Sequence, residues 1–155
     1  VTSAGTLYPS MRKIIEEVFK CKVFNRYGSR EVGGIACSCG EEDDLHLSVW
    51  NHYVEILDDA MQPVENGEVG RVYITTLNNY TMPLIRYEIG DIAKKVEWGH
   101  DCTKHPMPLL KGLEGREMSV IFTREGKIIP GEFFIHFIGV VYNTGFIEKF
   151  QVIMT

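Results

Sequence analysis

The sequence predicts a protein of the α+β (mixed α/β) class. Three observations carry that reading. One stretch near the start repeats its apolar residues at helical spacing. Several short stretches further on alternate apolar and polar residues with a period of two. A second helical stretch, rich in phenylalanine, lies near the end. A length of 155 residues suits one modest domain or a piece of a larger protein.

Residues 8–20 give the first helix. Met11, Ile14, Ile15, Val18 and Phe19 share one face, and Arg12, Lys13, Glu16 and Glu17 share the other. Pro9 fits the first turn, where its missing N–H leaves no bond unmade. Val23–Tyr27 then reads as a short strand. Leu45, Leu47 and Val49 alternate with His46, Ser48 and Trp50 as a second strand. Tyr53–Leu57 and Arg71–Leu77 form a hairpin across the polar stretch Asp58–Gly67, with Val72, Ile74 and Thr76 on one face. Ile92–Val96 and Val120–Thr123 are further strands. Residues 131–142, after Pro130, form a second helix, and Phe146–Ile153 a last strand. The first helix and strand read as the end of an α/β layer, followed by a β-rich hairpin module and the start of a small α+β domain. Gly112 and Gly115 bracket an exposed turn at Leu113–Arg116, so the expected division is 1–114 and 115–155.

The net charge is −5, so no basic excess directs the chain to nucleic acid or to an anionic membrane. No apolar run reaches membrane-spanning length. The chain starts at Val1 with no secretory signal, which fits an excised segment. The four cysteines, Cys21, Cys37, Cys39 and Cys102, are read as thiols of a reducing compartment, and a cytoplasmic location is expected.

Three short motifs follow in order. The first is Tyr27-Gly28-Ser29-Arg30-Glu31, placed directly after a strand. The second is Pro83-Leu84-Ile85-Arg86-Tyr87-Glu88-Ile89-Gly90-Asp91. The third is Gly115-Arg116 before the strand Val120–Thr123. Each alone is weak, and the ordered set is far more specific. With these residues the chain resembles the adenylate-forming superfamily, in its phenylacetate–CoA ligase branch. Gly67-Glu68-Val69-Gly70-Arg71, Ile74-Thr75-Thr76-Leu77 and Met82-Pro83-Leu84-Ile85-Arg86-Tyr87 resemble that branch nearly residue by residue, and the resemblance runs from about Thr2 onward.

The resemblance implies an ATP-dependent acid–CoA ligase. Such an enzyme joins a carboxylic acid to AMP, releases pyrophosphate and passes the acyl group to coenzyme A. Tyr27 would face the adenine, Gly28 would let backbone approach the nucleotide, and Ser29 would bind a phosphate oxygen. Glu31, the catalytic acid, would hold Mg²⁺. Asp91 would accept from the ribose hydroxyls, with Arg86 and Arg116 near ribose and phosphate. Blander readings stand beside these. Tyr27 suits a core aromatic, Glu31 a solvated loop acid, Asp91 a partner for Arg86, and Arg116 a surface cation. Partners implied are a small carboxylic acid, ATP, CoA and the rest of the same protein, with a homodimer as a candidate assembly and neither nucleic acid nor membrane. Within the branch, a synthetase that adenylylates a deazaflavin coenzyme is the alternative, and a non-catalytic nucleotide-binding homologue is another.

Cys39, His46, Cys102 and His105 make a candidate structural zinc site, with Cys37 in place of Cys39 as a variant and unliganded side chains as the plain alternative. Two features depart from the branch. Glu117-Met118-Ser119 stands where hinge aspartates follow the Gly-Arg pair, and neither a glycine-rich phosphate loop nor a lysine in the expected Gly-Lys context is found. The segment alone is therefore expected to be inactive.

Overall fold

A computed structural model describes residues 1–155 except 4, 41–43, 66–67, 95, 98–105, 117–119, 124, 126–127, 139–141, 143, 148 and 153–155. The chain opens with helix α1, Pro9–Phe19, which has proline in its first turn and closes on Lys20 in the left-handed conformation. Strands β1 (Arg26–Ser29), β2 (Gly33–Ser38), β3 (Leu45–Leu47), β4 (His52–Leu57), β5 (Val69–Thr76), β6 (Tyr87–Lys94), β7 (Val96–Glu97), β8 (Leu109–Leu110) and β9 (Leu113–Arg116) follow. Then come β10 (Val120–Phe122), β11 (Ile128–Pro130) and helix α2 (Gly131–His136). The class is α+β. Among the described residues, no helix is long and apolar enough to cross a membrane.

Two antiparallel sheets carry the architecture. One has the order β1-β2-β3-β8-β7 and the other β4-β5-β6-β9, with β10 and β11 as a separate pair. One core joins both sheets. Ile35, Leu45 and Leu110 come from the first, and Ile56, Val72, Ile74 and Ala93 from the second. Burying each of the larger aliphatic chains contributes about 1.5–3 kcal/mol. This shared apolar layer holds the ends of β1 and β6 close to one another.

The expected hairpin between Tyr53–Leu57 and Arg71–Leu77 is the β4–β5 pair, in register from His52↔Thr76 to Leu57↔Arg71. Other elements differ from expectation. The Tyr-Gly-Ser motif lies inside β1, which begins three residues later than Val23. The strand at 45–50 ends at Leu47, because residues 49–51 turn into β4. His46 is buried with both leucines, since β3 is the central strand of its sheet. Leu113–Arg116 is not a turn. It is β9, paired with β6, so a boundary after residue 114 falls inside a strand. The second helix is α-helical over Gly131–His136 and π-helical at residues 137–138, and residues 139–141 of the expected 131–142 lie outside the described residues. Phe133 stacks on Phe137, with ring centroids 4.8 Å apart. Residues 144–147 and 149–152 form no strand, and Phe146 is exposed. Period-two residues become a strand only where a partner edge accepts their backbone groups.

Helix α1 has the apolar face its spacing predicts, yet none of its residues is buried. Ile14, Val18 and Phe19 are 60%, 66% and 72% exposed, so helical periodicity here marks a face without marking what covers it.

Candidate nucleotide site

The site is built on two strand irregularities. In β1 the register slips between Tyr27 and Gly28. A Cβ at residue 28 would run into the Gly33 carbonyl, so glycine alone lets the turn close this tightly. In β6 the register against β5 is irregular between Tyr73↔Glu88 and Arg71↔Ile92, and Gly90 inside that stretch has φ +78°. A glycine at positive φ inside a strand marks a bulge, and the bulge re-aims the next side chain, Asp91. Asp91 then lies opposite Arg116 of β9 in the cross-strand register.

These three residues meet. The Tyr27 hydroxyl donates to Asp91 Oδ2 at 2.7 Å. Arg116 Nε lies 3.2 Å from Asp91 Oδ1. Arg116 Nη1 also donates to the Ile89 carbonyl at 3.5 Å, which keeps the guanidinium over the β6 bulge. Burial, and then the adjacent Asp91 carboxylate, push the Tyr27 phenol well above its ordinary value, and Arg116 offsets part of this. Tyr27 therefore remains a hydrogen-bond donor throughout the working pH range.

A cleft of about 330 Å³ opens beside this cluster. Tyr27, Gly28, Asp91 and Arg116 line it, together with Leu110 and Gly115. It is lined from both sheets, by β1, β3 and β8 of one and β6 and β9 of the other. Gly5, Thr6 and Asp44 also face it. Their residue types gave no signal of this: an isolated acid and a small polar loop are common on any surface.

Glu31 sits on the turn after β1. The Ser29 hydroxyl oxygen accepts from the Glu31 and Val32 amides at 3.2 and 3.4 Å. The Glu31 carboxyl is held below its usual value, first by a hydrogen bond from Ser29 and then by backbone, with Arg116 and Arg30 adding favourable charge. Glu31 and Asp91 thus both lie within the field of Arg116. A solvent-facing carboxylate kept ionised is a hard oxygen donor, and this fits a divalent cation such as Mg²⁺.

Two predicted groups are placed differently. Arg86 does not line the cleft. Its guanidinium forks onto Glu55, with Nη2–Oε1 at 2.7 Å and Nε–Oε2 at 3.0 Å, and its backbone has φ +47°. Of the candidate zinc ligands, Cys102 and His105 lie outside the described residues. Cys39 follows the end of β2 and His46 is in the adjacent β3, with Cys37 opposite His46 in register. Cys21, Cys37 and Cys39 are not in disulfides. Among the described residues, no three histidines, cysteines or acids cluster as a metal site would require.

No family model matches the chain. Phenylacetate–coenzyme A ligase of Thermus thermophilus is 35% identical over 89 residues, covering 54% of this chain and 20% of that protein. The Escherichia coli enzyme of the same name is 28% identical over 128 residues, 79% of this chain and 28% of that protein. Over these spans the chain is similar in sequence to phenylacetate–coenzyme A ligases. Among solved structures, an open conformation of 2-hydroxyisobutyryl-CoA ligase, in complex with 2-HIB-AMP and CoA, matches with a TM-score of 0.68 at 24% identity. That match covers 82% of this chain and 31% of the other. The fold is thus that of AMP-forming CoA ligases. The chain spans between 20% and 28% of the length of the phenylacetate–CoA ligases compared here.

Two outcomes follow from the geometry. Tyr27→Phe removes a buried donor to a carboxylate and lowers unfolding free energy by about 1–3 kcal/mol in denaturant titration, whereas a loss under about 0.3 kcal/mol contradicts the bond. Ser29→Ala moves the Glu31 carboxyl titration upward toward its ordinary value, read by carbon-13 NMR. An unmoved titration contradicts Ser29 as the leading cause.

Proposed function

We propose that this chain supplies one wall of the nucleotide site of an ATP-dependent acid–CoA ligase. The whole enzyme activates a carboxylic acid as its acyl-adenylate, releasing pyrophosphate, and transfers the acyl group to coenzyme A. The observation that supports this most is the convergence of Tyr27, Asp91 and Arg116 on one cleft, from positions far apart in the chain. Residues that serve only packing have no need of a carboxylate at a cleft wall.

The roles follow from the chemistry of each group. Asp91 accepts hydrogen bonds from the ribose hydroxyls. Two of its partners, Tyr27 and Arg116, differ in kind. Tyr27 is 7% exposed, while the Arg116 side chain is 62% exposed. The guanidinium lies largely in solvent while Asp91 is buried, so a ribose hydroxyl can take its place provided it keeps that carboxylate oxygen satisfied. The freed guanidinium then faces the phosphate, where a forked cation suits an anion. Gly28 leaves room for the base or sugar to approach the backbone, and the ring of Tyr27 forms the floor beside it. Ser29 and Glu31, on the turn that follows Gly28 and outside the cleft's lining, are assigned to the phosphate end. Magnesium, when bound, would neutralise phosphate charge there, and Glu31 is the residue that would hold it. Arg86 stays with Glu55 and stiffens the sheet behind the cleft.

In the protein encoded by the complete reading frame, Asp91→Ala reduces ATP–pyrophosphate exchange with a panel of aryl and alkyl acids by about a hundredfold or more, the loss of two charged hydrogen bonds at about 1.5–3 kcal/mol each. A folded Asp91→Ala protein that exchanges pyrophosphate at the unsubstituted rate contradicts the role.

A further inference from the structure

His52 carries no part of the reading above, yet its surroundings are specific. It opens β4, which runs beside β5 in the sheet that also contains Asp91, and it is 5% exposed. Its Nε2 lies 3.0 Å from the carbonyl oxygen of Val32. A carbonyl can only accept, so that nitrogen carries the proton. The other ring nitrogen, Nδ1, is buried and has no hydrogen-bond partner among the described residues. A histidine kept in the core with only one nitrogen satisfied is placed there for that one bond, since a buried polar atom without a partner is costly.

Val32 is the residue after Glu31. The Glu31 turn is therefore held at two points. Ser29 takes the Glu31 and Val32 amides from one side, and His52 takes the Val32 carbonyl from the other. The two anchors lie on different sheets, because Ser29 ends β1 and His52 begins β4. The corner before His52 is itself fixed. Ser48 N donates to the Ile35 carbonyl at 2.8 Å, and His52 N donates to the Ser48 carbonyl at 3.1 Å.

We propose that His52 is a positioning residue. It struts the Glu31 turn against the sheet that carries Asp91, and so sets the separation between the cation-directed acid and the ribose-directed acid. This rests on the role assigned to Glu31 above. It also explains why a polar ring occupies a site that leucine would fill without an unsatisfied nitrogen.

The test compares His52→Leu and His52→Gln in the complete protein, since the glutamine amide can still donate to the Val32 carbonyl. Four quantities are read: amide exchange over residues 30–34 and in β5, broadening of the 30–34 amides by Mn²⁺ alone, the Mg²⁺ concentration for half-maximal pyrophosphate exchange, and AMP affinity. In His52→Leu, exchange at 30–34 rises about tenfold while β5 is unchanged, because the opening is local. Mn²⁺ broadening weakens and the half-maximal Mg²⁺ concentration rises about tenfold, the cost expected when a supporting contact behind a metal-directed carboxylate is lost. AMP affinity stays within about twofold, because the ribose contacts are untouched. His52→Gln recovers most of each change. Unchanged exchange at 30–34 overturns the strut. Faster exchange with unaltered Mn²⁺ broadening and Mg²⁺ dependence overturns the positioning role and leaves His52 as ordinary support. If the unsubstituted protein shows no pyrophosphate exchange at all, the ligase reading falls separately, and amide exchange with Mn²⁺ broadening still decides the role of His52.

Discussion

The carboxylate of Asp91 is the constraint around which the cleft is arranged. A carboxylate set this deep is costly unless each oxygen has a partner. One oxygen is held by a tyrosine that is itself part of the core, the other by an arginine that reaches out to solvent. The first bond is fixed because Tyr27 packs among residues of both sheets. The second is exchangeable because an exposed long side chain has other places to go. One rigid partner and one yielding partner form a seat that is organised before a ligand arrives and can still open to it.

That seat exists only because two strands are irregular. A regular β6 would alternate strictly, and Asp91 would take its orientation from the pleat alone. The bulge at Gly90 breaks the alternation, and the slip at Gly28 does the same in β1. The core then fixes how the two irregular strands meet, since Ile35 and Leu45 on one side pack with Val72 and Ile74 on the other. Packing far from the cleft thus sets distances inside it. His52 belongs to the same arrangement, a polar ring in the apolar interior whose Nε2 reaches the turn that bears Glu31.

The sequence made the elements with strong periodicity legible. Helix α1 and the β4–β5 hairpin stand where spacing puts them. Strand β2 was not, because Gly33-Gly34-Ile35-Ala36 has no alternation and a single branched residue, and its conformation comes from pairing with β1 and β3. Strand β9 reads as a turn because of its glycines, and only the edge of β6 makes it a strand. The candidate site was legible through its motifs: Tyr27, Gly28, Asp91 and Arg116 do line one cleft. Arg86 was not, since motif adjacency to Asp91 says nothing of Glu55, thirty-one positions earlier, which takes its guanidinium. His52 was invisible for a related reason. A lone histidine at a strand start has no pattern, and its meaning appears only when the Val32 carbonyl is beside it.

The most direct measurement is a crystal structure of the complete protein with AMP bound. Both ribose hydroxyls are expected within hydrogen-bond distance of the Asp91 carboxylate, with the Tyr27 hydroxyl still on Oδ2 and the Arg116 guanidinium turned from Asp91 toward the phosphate. AMP bound elsewhere, or in this cleft with the Asp91–Arg116 pair intact and the ribose facing away, would contradict it.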